Sequence, residues 1–315
     1  MPAFSRLPWI DLSWAKTKNN MENDNLAQAI KTLVARFDIF DYPLTDFEIW
    51  QLLSEKASYC EVRKMLENSA PLETTQGFYF LPNRIEIVET RQRRYRDAKR
   101  KITTARRRLS LISWLPWIRL IALANSIGSH NLKAEADIDL FVIVKKNRIW
   151  LVKFIATIIL ALSGQRPSKR KTADTLCLSF LTDESALDLS VCRLNENDWY
   201  FTYWLAGLVP LFGTSEAYEQ LLKANAWLYR DLPNWKIDCA VPQKRFTSSE
   251  RSASSLSIWN LFETLSKKFH LIVLSSRLKN TKDTSIIIND HMLKLHSLDR
   301  RAYFIASAKE RLASL

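Results

Sequence analysis

The run Asp137-Ile-Asp-Leu-Phe-Val-Ile-Val144 sets two carboxylates into a stretch that is otherwise apolar and rich in β-branched residues. Such a stretch reads as a strand. Side chains along a strand alternate between its faces, so Asp137 and Asp139 share one face, and Ile138, Leu140, Val142 and Val144 take the other. Two carboxylates held side by side in a mostly buried strand repel each other, and a cation between them removes the conflict. Hard oxygen donors at this spacing suit Mg2+ or Mn2+.

Upstream, Trp117-Ile-Arg-Leu-Ile-Ala-Leu-Ala124 reads as another strand, and it runs into Asn125-Ser126 with ten residues between Ser126 and Asp137. Together these segments resemble the nucleotidyltransferase domains of the DNA polymerase beta superfamily. Members of that family carry Gly-Ser at the end of a first strand, then a short helix, then Asp-x-Asp on the next strand. The resemblance implies an α+β fold with a mixed sheet flanked by helices. It also implies that Asp137 and Asp139 bind Mg2+ or Mn2+ while the turn holds the phosphates of an NTP. Asn125 stands where the family has Gly. Gly128-Ser129 offers a second version of the turn but leaves only seven residues before Asp137, so the spacing favours Asn125-Ser126. Lys145, just past the metal strand, is a further candidate phosphate contact.

The family supplies a third carboxylate from a later strand, where it helps activate the attacking hydroxyl. Thr175–Thr182 reads as a strand but has no acid in its interior. Leu187-Asp-Leu-Ser-Val-Cys192 alternates apolar and polar residues and reads as the returning strand. Asp188 is therefore the first candidate for the third catalytic carboxylate, and Asp183, in the intervening turn, is the second. The reaction so implied moves a nucleoside monophosphate from an NTP to an acceptor and releases pyrophosphate. The acceptor is open: an RNA end, a protein hydroxyl or a small molecule all fit. A site degraded by the loss of the family's Gly, in a nucleic-acid-binding or regulatory protein, is the alternative. Glycosyltransferases also use Asp-x-Asp, and the upstream turn argues against them.

Charge adds a second feature. The chain has 315 residues, enough for about two domains, and a net charge of +13. Between Arg91 and Arg108 lie ten basic residues and one acid, Asp97. This cluster belongs to a segment, 84–112, that reads as one long helix, with Val88, Tyr95, Ile102 and Leu109 as a narrow packing stripe. Arg100, Lys101, Arg106, Arg107 and Arg108 are the candidate contacts for nucleic-acid phosphates.

The four cysteines show no paired spacing, which argues against a structural zinc site or a disulfide framework. The first twenty residues lack a long apolar run, so no signal peptide is expected. The longest apolar run, Trp150–Leu162, is too short to span a membrane, contains Lys153, and reads as a crossover helix. A cytoplasmic protein without a membrane span is the expectation.

The chain divides into six segments. Residues 1–24 read as a loose arm. Over 25–83, three helices precede a hairpin turning at Gln76-Gly77, and Thr45 with Glu48 forms a capping box at the second helix. With its Tyr42-Pro-Leu-Thr45 turn, this outline resembles the winged-helix modules found beside some bacterial nucleotidyltransferase domains. The basic connecting helix (84–112) leads to the core (113–232), in which Pro210–Gly213 reads as a turn. A linker (233–255) and a helical extension (256–315) follow, with helices over 256–278 and 293–312.

Overall fold

A computed structural model describes residues 12–68, 72–124, 127, 130–168, 171–236, 257–278, 286–295 and 299–313. Helix α1 (Leu12–Asp38) buries Ile30, Leu33, Val34 and Phe37 along one stripe. It begins inside the expected loose arm, so residues 12–24 are helical. That part of the sequence is polar on all sides, and apolar periodicity gives no sign of it. Strand β1 (Leu44–Thr45), α2 (Asp46–Leu52), α3 (Tyr59–Asn68), β2 (Glu73–Thr75) and β3 (Phe78–Phe80) follow. The capping box is present: Glu48 N donates to Thr45 Oγ1 at 3.2 Å, and Thr45 N donates to Glu48 Oε2 at 3.0 Å. Gln76 and Gly77 both have positive φ, 52° and 78°, the conformation a two-residue hairpin turn demands. The three strands form a small antiparallel sheet in the order β1-β3-β2.

Helix α4 (Glu86–Leu109) leads to the main sheet. Its strands are β4 (Ile118–Leu123), β5 (Ile138–Val144), β6 (Leu176–Asp183), β7 (Val209–Gly213), β8 (Ile286–Ile288) and β9 (Met292–Leu295), in the spatial order β7-β4-β5-β6-β9-β8. Only β5 and β6 run parallel, joined across helix α5 (Ile149–Leu162); the other neighbours are antiparallel. The fold is therefore α+β with a mixed sheet. Helices α6 (Trp199–Ala206), α7 (Ser215–Ala224) and α8 (Trp227–Asp231) follow β6. The extension contributes α9 (Ser257–Leu278) and α10 (Arg301–Ala313). α9 docks on α5, where the Glu263 carboxylate accepts from the free N–H groups of Trp150 and Leu151, both at 2.9 Å.

Three expectations fail at the level of elements. Pro210–Gly213 is part of strand β7 rather than a turn, and β7 lies at the sheet edge, where a proline without an N–H is tolerated. Gly213 has φ 146°, and a Cβ there would meet the Arg119 carbonyl at 2.5 Å, so the close strand approach explains the glycine. Residues 286–295 form a hairpin on the far side of β6, so the last helix starts at Arg301 and not at Leu293. Leu187–Cys192 is not a returning strand: it ends in a single 3-10 turn, Ser190–Cys192. Its alternation is real, with Leu187 and Leu189 buried and Asp188 exposed. Its backbone, however, bonds the Asn225 side chain rather than a strand: Leu189 N donates to Asn225 Oδ1 at 2.8 Å, and Asn225 Nδ2 donates to the Leu187 carbonyl at 2.7 Å.

The sheet is covered on both faces. Leu140, Val142 and Val144 of β5 pack with α5 and with Ala98, Ile102, Ala105 and Leu109 of α4. Phe141 and Ile143 pack on the opposite side with Phe180, α6, α7 and the N-terminal helices. Asp139 belongs by alternation to this second side, as expected. It sits at the start of β5, where the apolar cover ends.

Candidate metal centre

The site is assembled by the parallel pairing of β5 and β6. Asp139 lies opposite Cys177 in the register, and Asp137 immediately precedes β5. A carboxylate oxygen from each aspartate and the Cys177 sulfur all lie within 4.8 Å of one another. All three residues are partly exposed, so solvent reaches the cluster. Ser179, two residues beyond Cys177 on the same face of β6, brings a buried hydroxyl towards Asp139; it makes no hydrogen bond of ordinary geometry.

The electrostatics are those of crowded acidic groups, in which burial outweighs the relief that Cys177 gives both carboxylates and Lys101 gives Asp137. Burial, and then the neighbouring Asp137 charge, push the Asp139 carboxyl up to about 6. Burial also raises Asp137. Burial, followed by the charges of Asp139 and Asp137, pushes the Cys177 thiol up to about 12. Each shift disfavours the charged form, and a bound cation would reverse it.

Helix α4 fixes the two loops that deliver these groups. Lys101 is fully buried, and its Nζ donates to the Ala136 carbonyl at 2.5 Å and to Asp174 Oδ1 at 2.7 Å. Arg100 adds a hydrogen bond to Asp174 Oδ2 at 2.6 Å, and Arg108 donates to the Asp174 carbonyl. Burial alone would raise the Asp174 carboxyl, but the bonds from Arg100 and Lys101 outweigh it and hold the group at about 2. Ala136 precedes Asp137, and Asp174 lies three residues before Cys177, so one buried lysine ties both segments together.

The other expected site residues are distributed as follows. Asn125, Ser126, Gly128 and Ser129 lie outside the described residues. Asp188 is exposed and accepts from Ser190 N at 2.9 Å; it is not part of the cluster. Asp183 is buried at the opposite end of β6, where it accepts from Ser185 Oγ at 2.6 Å and faces His291 Nδ1 at 2.9 Å. Six residues of strand, roughly 20 Å, separate it from Cys177. Lys145 follows the far end of β5 and is likewise six residues, roughly 20 Å along the strand, from Asp139. Among the described residues no third carboxylate joins the pair; the third member of the cluster is Cys177. The pattern Cys177-Leu-Ser-Phe180 carries the signal for this: polar residues alternate on β6 as the aspartates do on β5.

The basic helix is only partly available for binding. Lys101, fully buried and ion-paired, cannot reach a phosphate, and Arg100 and Arg108 are engaged with Asp174. Arg91 pairs with Glu48 at 2.7 Å, and Arg94 with Asp41 at 3.0 Å. Tyr95, expected in the packing stripe, is 47% exposed, while Val88, Ile102 and Leu109 are buried. Arg93, Arg96, Lys99, Arg106 and Arg107 remain exposed along the outer side.

Compared with known proteins, the chain matches no family model, no curated protein and no solved structure. No helix among the described residues is long and apolar enough to cross a membrane.

Proposed function

We propose that the protein is a metal-dependent nucleotidyltransferase that transfers a nucleoside monophosphate from an NTP to an acceptor. The observation that carries the reading is the convergence of Asp137 and Asp139 at the start of β5, beside β6, in a solvent-reachable cluster of raised carboxyls. The two aspartates would hold Mg2+ or Mn2+. When bound, such an ion neutralises the triphosphate and stabilises charge on the attacking and leaving oxygens. Residues 125–129 would hold the phosphates, with Ser126 or Ser129 as the side-chain contact. Lys101 is a positioning residue: it holds Ala136 and Asp174, and through them Asp137 and Cys177. The exposed bases of α4 favour a polyanionic partner, with Arg106 and Arg107 as the phosphate contacts that remain from the expected set.

A second reading has its own support. With Asp188 turned away and a thiol beside the pair, no described side chain is placed as the base for an acceptor hydroxyl. The domain would then bind nucleotide without transferring it, and α4 would carry nucleic-acid binding. A panel of NTPs with Mg2+ or Mn2+ separates the two readings. Transfer predicts pyrophosphate release that Asp137→Asn and Asp139→Asn abolish. Metal-dependent NTP binding without pyrophosphate, whatever RNA or protein acceptor is added, would contradict transfer and leave the binding reading.

A further inference from the structure

We propose that Cys177 is the third ligand of the cation held by Asp137 and Asp139, and that its sulfur turns the site towards a thiophilic divalent ion such as Zn2+ in preference to Mg2+. The inference rests on the reading that the two aspartates hold a cation. It goes further in naming the ligand and the metal class.

The geometry comes first. Parallel pairing sets Asp139 and Cys177 opposite each other, and neighbouring strands run about 4.8 Å apart. The sulfur and one oxygen from each aspartate already lie within 4.8 Å of one another. Metal bonds of about 2.0–2.3 Å place tetrahedral ligand atoms about 3.3–3.8 Å apart, so small side-chain rotations close the shell. A fourth position stays open towards solvent, since all three residues are partly exposed.

Ser179 supplies an independent observation. The residue is 5% exposed, its hydroxyl is directed at Asp139, and no hydrogen bond of ordinary geometry satisfies it. A buried hydroxyl that faces the Asp139 carboxylate without an ordinary hydrogen bond is what a metal-bound water or a metal-bound carboxylate would satisfy.

The donor set then selects the ion. Two carboxylates alone suit Mg2+ or Mn2+, whereas a thiolate adds affinity for Zn2+ and its congeners and little for Mg2+. On ligation the Cys177 S–H bond breaks, the proton leaves to solvent, and a metal–sulfur bond forms with no change of oxidation state.

The test uses the full chain carrying Cys60→Ser and Cys239→Ser, so that fewer other thiols compete for the ion. Cd2+ is titrated while the near-ultraviolet thiolate-to-metal charge-transfer band is followed, and Zn2+ and Mg2+ affinities are measured by calorimetry. The expected result is a band that saturates at one equivalent. Cys177→Ser should lose the band and weaken Zn2+ binding by roughly 10- to 100-fold or more, with Mg2+ affinity unchanged. Cys177→Asp, an all-oxygen set, should reverse the preference towards Mg2+ or Mn2+. No band in the parent protein, or Zn2+ affinity retained in Cys177→Ser, overturns the inference. The aspartate reading still stands in that case if Asp139→Asn abolishes Mg2+ binding. If the parent binds none of the three metals, both fail. Should Cys177→Ser fail to fold, the parent's band and its loss in Asp139→Asn decide the matter.

Discussion

At the scale of single residues, the site is a place where the folded chain tolerates unfavourable charge. Asp139 has its carboxyl raised to about 6 against an ordinary 3.8. Between those values the folded state holds a proton that the unfolded state has released. Stability without metal therefore falls as pH rises from about 4 to about 6, and stays low above that. Two units correspond to about 3 kcal/mol at most. Asp139→Asn should thus stabilise the metal-free protein at pH 7 by about 1–3 kcal/mol, with the gain vanishing near pH 4. Urea denaturation of both proteins at the two pH values measures it, and a variant less stable at pH 7 would contradict the account. Asp174 behaves in the opposite sense. Its carboxyl is held at about 2, so its contribution is present above pH 4 and lost as pH falls towards 2. Asp174→Asn leaves the buried Lys101 ammonium without its counter-charge and should cost about 2–4 kcal/mol. A change under about 0.5 kcal/mol in the urea midpoint analysis would show that the clamp is not structural.

At the scale of elements, α4 has two sides with different work. Its inner side carries Lys101 and Arg108 onto the loop at Asp174, and its outer side leaves Arg106 and Arg107 in solvent. Replacing Arg106 and Arg107 with Gln should leave stability nearly unchanged. It should flatten the log–log salt dependence of RNA or DNA binding by roughly one to two units. Arg108→Gln should do the reverse and lower stability. Filter binding across a salt series together with thermal melts checks both, and the absence of any binding at low salt would leave α4 as a connector. The sequence made β4, β5, α5 and β6 legible because their apolar patterns are long and their periods clear. The hairpin at Gln76-Gly77 and the cap at Thr45 were legible because turn and cap chemistry is local. β7 was hidden by Pro210 and Gly213, which mark a turn in isolation and an edge strand in context. β8 and β9 were hidden because strands of three and four residues exist only by pairing: β9 adds to β6, more than a hundred residues away, and β8 adds to β9. Asp188 was misplaced because alternation of burial does not require a strand: a side-chain amide from Asn225 satisfies the same backbone groups.

At the scale of the whole molecule, the N-terminal helices and the sheet are not separate bodies. Leu44, Ile49, Leu53 and Val62 share one continuous buried cluster with Phe141, Phe180 and the residues of α6 to α8. Arg84 and Arg94 of the connecting segment bind Asp38 and Asp41 beside it. The sequence divided these regions by their patterns of helices and strands, and only the packing joins them. This shared core covers the face of the sheet from which Asp139 emerges, and it leaves the start of β5 open. Asp139 is thereby set on a paired strand and Asp137 immediately before it, at an end of the sheet that solvent reaches. The central claim is that Asp137 and Asp139 form a divalent-cation site, and titration of Mn2+ followed by electron paramagnetic resonance, with and without ATP, tests it most directly. The account predicts that the wild-type chain removes one equivalent of free Mn2+ signal, more tightly with ATP present, and that the double variant Asp137→Asn/Asp139→Asn, still folded by thermal melt, removes none. Equal Mn2+ binding by the wild type and the folded double variant would contradict it.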